Sequence, residues 1–113
     1  MVFLVAALHL YILALEMFMW QTPTGLRSFG MTQEVADSSA KLAANQGLYN
    51  GFLAAGLFWG LFFYGVIEGR PILTFFLACV IVAGLYGGAT VNRRIIFIQS
   101  VPAAIALLLV WSS

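Results

Sequence analysis

Glu16 lies inside MVFLVAALHLYILALEMFMW, a run that is otherwise almost wholly apolar and long enough to cross a bilayer. A carboxylate at the centre of such a helix costs about 2.5–3.5 kcal/mol on insertion scales, so a partner or a task is expected to hold it there. His9 lies seven residues earlier, about two turns away on the same helical face. After a polar segment, the run NQGLYN brings Asn45, Gln46, Tyr49 and Asn50 within ~140° of arc at 100° per residue, opposite a stripe of small residues. Tyr86, Thr90 and Arg93 share a face at the end of a third apolar stretch. Gln99 opens a fourth, with Pro102 a turn further on.

These residue types can bind. Amides and phenols can hold Glu16 as an ion, and Arg93 can pair with it; left bare, a buried carboxyl stays neutral. A carboxyl between those limits can take a proton, a cation or a polar ligand group. Pro102 would free a backbone carbonyl near Ile98, a further acceptor in the same region. Bland readings stand beside this one. Polar groups between membrane helices are often glue, averaging about 0.6 kcal/mol per bond. Asn45 and Gln46 can be solvated among headgroups, Arg93 and Arg94 can simply mark the cytoplasmic side, and a lone His9 is commonly a satisfied core residue.

Other chemistry is poorly supplied. One His, one Cys and four acids make no usual zinc set, and no paired-His motif is present, so neither a metal nor a cofactor is assigned. His9 and Glu16 are ~10 Å apart along a helix axis, too far for a direct catalytic dyad. No strand pattern and no glycine-rich phosphate loop occur. No residue is assigned as catalytic, although a buried acid with Arg and Tyr leaves intramembrane acid–base chemistry open.

The elements that must position these groups are helices. The chain of 113 residues is 63% hydrophobic and 8% charged; soluble domains run at about 45–50% and ~25%. Four stretches are long enough to span: residues 1–20, 40–67, 72–90 and 95–111. The expectation is an all-α membrane protein, a single four-transmembrane-helix up-down-up-down bundle, because short connections make antiparallel neighbours. Residues 21–39 form its one long polar loop, with a turn at Thr22-Pro23-Thr24-Gly25 and a short interfacial helix from Thr32 to Ser39. The first segment lacks a basic leader and a cleavage site, so it reads as a retained helix.

Arg27, Lys41, Arg93 and Arg94 fall on one side and Arg70 on the other. Basic residues favour the cytoplasmic face, which puts both termini outside and loops 21–39 and 91–94 inside. On that topology Glu16 lies roughly 6 Å in from the inner end of the first helix, and the amides, Arg93 and Gln99 line one inner-half pocket with His9 beneath it. Trp20, Trp59 and Trp111 suit interface anchors. The spacings Gly47/Gly51/Ala55, Gly56/Gly60 and Gly84/Gly88 let helices approach closely, within the bundle or in a homo-oligomer. Cys79 reads as a small buried hydrophobe. A net charge of +1 offers nothing to nucleic acid.

LHLYILALEMFMW, TPTGLRSFGM, AANQGLYNGFLAAGLFWG, GLYGGAT and IFIQSVPAAIALL, in this order, resemble the bacterial small membrane proteins of the domain-of-unknown-function family 1304. The resemblance covers nearly the whole chain. It implies a four-helix protein of the bacterial cytoplasmic (inner) membrane and no activity. Its motif positions fall on Glu16, Trp20, Asn45, Gln46, Tyr49, Asn50 and Gln99. A looser likeness to small multidrug transporters is one of size and layout only.

The leading expectation is binding or transport of a small polar or amphiphilic ligand anchored by Glu16. The alternatives are a structural or accessory subunit with a membrane-protein partner and, third, an intramembrane enzyme.

Overall fold

The computed structural model describes residues 1–112, which are helical and contain no strand. The chain divides into two compact units: Leu8–Phe52, and Met1–Ala7 together with Leu53 onward.

In the first unit α1 (Val2–Met17) ends where Ala14 O accepts from both Phe18 N and Met19 N, at 3.0 and 3.1 Å. The polar segment that follows is not a loop. Thr22 caps α2 (Pro23–Phe29): its Oγ1 accepts from Gly25 N at 3.3 Å, Pro23 occupies the first turn, where its missing N–H costs nothing, and Gly30 closes the helix in the left-handed region at φ 61°. Thr32 then accepts from Val35 N, and α3 (Gln33–Phe58) runs on without the break expected near residue 40. Asp37, exposed on the first turns of α3, accepts from Gln21 Nε2 at 2.9 Å and Gln33 Nε2 at 2.8 Å, fastening the turn after α1 to α3. Those two donors hold its carboxyl below the usual aspartate value of 3.8.

In the second unit the end of α3 passes into a π-helical turn, Trp59–Tyr64, then α4 (Gly65–Glu68), with Gly65 at φ 82°. α5 (Arg70–Thr90) follows, then a π-helical turn at Ile96–Ser100 and α6 (Val101–Ser112). Pro102 has no N–H to offer the Ile98 carbonyl, and the helix before it widens so that Val101 N donates to Ile96 O.

The core of this unit is Val5, Ala6, Leu57, Leu73, Leu77, Val80, Ala103 and Ala106. Gly56 is filled by the Phe76 ring, Gly60 by Leu73 and Ile72, and Gly88 by Ile96. Ser100 Oγ donates to Ile81 O at 2.8 Å and packs into the space over Gly84. Arg70 Nε donates to Val110 O at 3.1 Å, a cation on the closing carbonyls of α6, and its guanidinium lies 5.3 Å from the Trp111 ring centre. Trp111 Nε1 donates to Thr74 Oγ1 at 2.9 Å.

Large apolar side chains point outward: Phe63 is 79% exposed and Phe18 74%. Two helices, Gln33–Glu68 (counted through its π-helical turn) and Arg70–Thr90, are long and apolar enough to cross a membrane; Val2–Met17 and Ile96–Ser112 are shorter apolar helices.

Two outcomes follow. A β-carbon at Gly84 would press on Ser100 Oγ and lie 2.9 Å from Ser100 N, so Gly84→Ala should cost about 1–3 kcal/mol of stability. Gly87 faces only Ile95 side-chain atoms, from 3.1 Å outward, so Gly87→Ala should be close to neutral, the gain in helix propensity of about 0.5–1 kcal/mol offsetting the small adjustment. Thermal unfolding in one detergent compares the two. The lowered Asp37 value makes its contribution full above 3.8 and lost as pH falls through the lower folded value. The Gln21 and Gln33 side-chain amide NMR signals should therefore hold from neutral pH down to that range and change below it, and should lie at their acid positions already at pH 7 in Asp37→Ala.

Candidate functional site

α1 and α3 meet in the Leu8–Phe52 unit where α3 has no side chains to keep them apart. A β-carbon on Gly47 would lie 3.2 Å from Glu16 Cβ and from the Leu13 carbonyl oxygen, and would press on Met17 Cγ; one on Gly51 would meet Leu13 Cδ1 at 2.7 Å. At that separation the half-buried Glu16 reaches Asn50, whose Nδ2 donates to Glu16 Oε1. This carboxylate–amide pair, joining residues 34 apart in the chain, is the polar centre of the contact. The bond is partly buried, so water competes with it less than it would at an open surface.

Asn50 adjoins the small-residue stripe rather than facing away from it. Three residues on a helix is 300°, which puts Asn50 only ~60° from Gly47. The stripe itself runs through Ala43, Gly47 and Ala54, all buried, whereas Ala55 is exposed. Asn45, Gln46 and Tyr49 are exposed on α3, with the Tyr49 ring edge-on to Phe52 at 5.9 Å. His9 is buried, 1% exposed, two turns up α1. Arg93 is exposed and Gln99 half-buried, and both belong to the other unit, where Gln99 Cβ borders Gly84. Glu16 and Asn50 are thus the two expected site residues that a hydrogen bond unites.

Two positions make contacts that the sequence reading did not anticipate, although the family motifs pointed to one of them, Trp20. Trp20 Nε1 donates to Ser39 Oγ at 3.1 Å, Ser39 in turn donates to Val35 O at 2.6 Å, and Phe29 packs on the Trp20 ring at 4.7 Å. Asp37 is the other, a double acceptor whose only sequence signal was its place four residues after Gln33. Two clefts of about 260 and 380 Å³ lie in the unit that begins at Met1; their walls, including Phe3, Leu61 and Val110 in one and Trp59, Ile72 and Phe76 in the other, hold none of the expected site residues. Among the described residues no group of three or more His, Cys, Asp or Glu comes together to hold a metal ion.

A family model for proteins of unknown function, DUF1304, matches residues 3–111. The chain belongs to that family. It is similar to the uncharacterised protein YpaA of Lactococcus lactis subsp. lactis (strain IL1403), with 36% identity over 107 residues, 93% of this chain and 88% of that one. No solved structure matches. The chain is a bacterial member of the family, as the sequence motifs implied.

If the Glu16–Asn50 bond joins α1 to α3, a double-mutant cycle with Glu16→Leu and Asn50→Leu should return a coupling free energy of about 0.6–1.7 kcal/mol, the range measured for polar pairs between membrane helices. Reversible unfolding in mixed micelles gives the four stabilities. A coupling indistinguishable from zero would mean that the pair does not hold the helices.

Proposed function

We propose that the chain is a multi-pass protein of the bacterial cytoplasmic membrane that binds a small polar or amphiphilic ligand at Glu16. The four-span arrangement is supported by the distribution of side chains, with Phe3, Phe18, Phe62 and Phe63 outward and small residues at the close helix contacts. α1 and the Ile96–Ser112 helix are 16 and 17 residues long, about 24–26 Å at 1.5 Å per residue. That is a few ångströms short of a ~30 Å hydrocarbon core, a mismatch that local thinning accommodates. The basic residues put both termini outside and Arg27, Lys41, Arg93 and Arg94 on the cytoplasmic side.

The observation that carries the binding reading is the Glu16–Asn50 pair. A structural bond between helices is served as well by two amides or by a serine on a carbonyl, which is how Ser100 joins α5. A carboxylate is the costlier choice in hydrocarbon, and it adds a charge that an amide does not supply. In this reading Glu16 is the anchor, Asn50 positions it, and His9, Gln46, Tyr49 and Asn45 of the same unit are further lining candidates.

A second reading, an accessory subunit or homo-oligomer, is favoured by the exposed face of α3. Asn45, Gln46 and Tyr49 are polar groups turned away from their own unit, and amides on membrane helices find partners across helices.

Native mass spectrometry of gently extracted wild-type protein beside Glu16→Gln separates the two. Binding at Glu16 predicts a small bound mass in the wild type that is absent from the variant, with helicity unchanged. A second polypeptide retained equally by both, and no small mass, would replace the binding reading by the subunit reading.

A further inference from the structure

The class of ligand follows from the hydrogen-bonding capacity that the Glu16–Asn50 pair has left to offer, and so it rests on the binding reading above. Asn50 Nδ2 donates to Glu16 Oε1, which turns the amide so that its NH2 group meets the carboxyl and its Oδ1 is presented elsewhere. A carboxylate has about four lone-pair sites, and this bond uses one. The pair therefore presents acceptors from both residues, with a single second N–H on Asn50 as donor. Leu13 and Met17 on α1 and Gly47 and Gly51 on α3, where the two helices meet beside the pair, carry no donor side chain. The cations of the same unit, Arg27 and Lys41, are exposed, eleven residues beyond Glu16 and nine before Asn50 in the chain. Glu16 itself is half-buried rather than enclosed.

We infer that the site takes a protonated primary or secondary amine carried on an apolar body. Such a head group supplies N–H donors to the acceptors and a positive charge to the carboxylate, and its hydrocarbon part matches the Leu13 and Met17 surroundings. A divalent metal ion is a poor match, because hard cations need about six oxygen ligands or retained water, and no cluster of metal-ligating side chains forms among the described residues. A carboxylate or phosphate ligand meets like charge and acceptors facing acceptors. A quaternary ammonium brings charge without N–H donors and forfeits the hydrogen bonds.

The test uses the full chain in phosphatidylcholine nanodiscs, with ¹³C observation of the Glu16 carboxyl carbon and ¹⁵N observation of the Asn50 side chain. Hexylammonium, hexyltrimethylammonium, hexanol and hexanoate are titrated in turn. The expected result is saturable movement of both signals with hexylammonium, binding about tenfold tighter than hexyltrimethylammonium, the value of one charge-assisted hydrogen bond. Hexanoate should move neither signal. Asn50→Leu, which keeps the carboxylate and removes the amide acceptor, should weaken hexylammonium about tenfold. The wild-type spectra decide the matter even where Glu16→Gln fails to fold. Equal binding of the two ammonium probes, or response to hexanoate or hexanol in place of hexylammonium, overturns the amine assignment while a Glu16-dependent bound mass leaves the binding reading standing. Absence of any Glu16-dependent mass removes both.

Discussion

The polar centre of this protein depends on the missing side chain at Gly47. With a β-carbon there, α1 would have to move off α3 at Leu13, Glu16 and Met17 together, one of the obstructing atoms being a backbone carbonyl oxygen that cannot rotate away. Only at the short separation can a side chain as short as asparagine reach a glutamate on the neighbouring helix. In the membrane setting proposed for the chain, lipid offers no hydrophobic drive for one apolar helix to seek another, so close backbone contact and hydrogen bonds would provide the attraction. Gly47 serves both, admitting the contact and bringing the carboxyl within bonding distance.

The same economy of side-chain size recurs in the unit that begins at Met1. Gly84 receives Ser100, Gly56 receives the Phe76 ring, and Gly88 receives Ile96. Where a polar group is enclosed there, it is satisfied by backbone, as in Ser100 on the Ile81 carbonyl and Arg70 on that of Val110. These bonds use neutral hydroxyls or place a cation at a helix end, where the dipole favours it. Glu16 follows neither pattern, being an acid on the interior face of an apolar helix, met by an amide.

Much of this was legible in the residues. A single acid in twenty apolar residues announces itself, and the glycine spacings identified the close-packed faces. Asn50 is grouped on the wrong face by the arc that joins it to Asn45, whereas a step of three places it beside Gly47. Within residues 21–39 the residue types give a turn at Thr22-Pro23-Thr24-Gly25 and a short helix from Thr32 to Ser39, but not the helix Pro23–Phe29 nor the continuity of α3. Yet Thr22-Pro23 and Gly30 are a helix start and stop, and Thr32 caps the long helix that follows. The π-helical turn at Trp59–Tyr64 had no such signal: its composition suits an α-helix, and the widening precedes a glycine whose φ of 82° only the folded chain reveals. Tertiary hydrogen bonds such as Trp20 to Ser39 join residues 19 apart and have no local pattern to betray them.

On the binding reading proposed above, the gradient along the Leu8–Phe52 unit favours approach to Glu16 from its polar end. Beyond Met17 come the Trp20–Ser39 bond, the Asp37 fastening, Arg27 and Lys41, all groups at ease in water or among headgroups. In the other direction along α1 lie Leu15, Leu13 and Ile12, then the exposed Tyr11, and His9 is buried two turns away. Glu16 is the last ionisable group on α1 before that apolar stretch, one residue inside the helix end at Met17. A charge at that depth keeps part of its hydration and is less costly than one at the bilayer centre. A ligand that keeps its head group at the polar end while its apolar part enters between helix and lipid meets the carboxyl without crossing the hydrocarbon first. Placement near the boundary thus makes a carboxylate tolerable in α1 and reachable from the polar end.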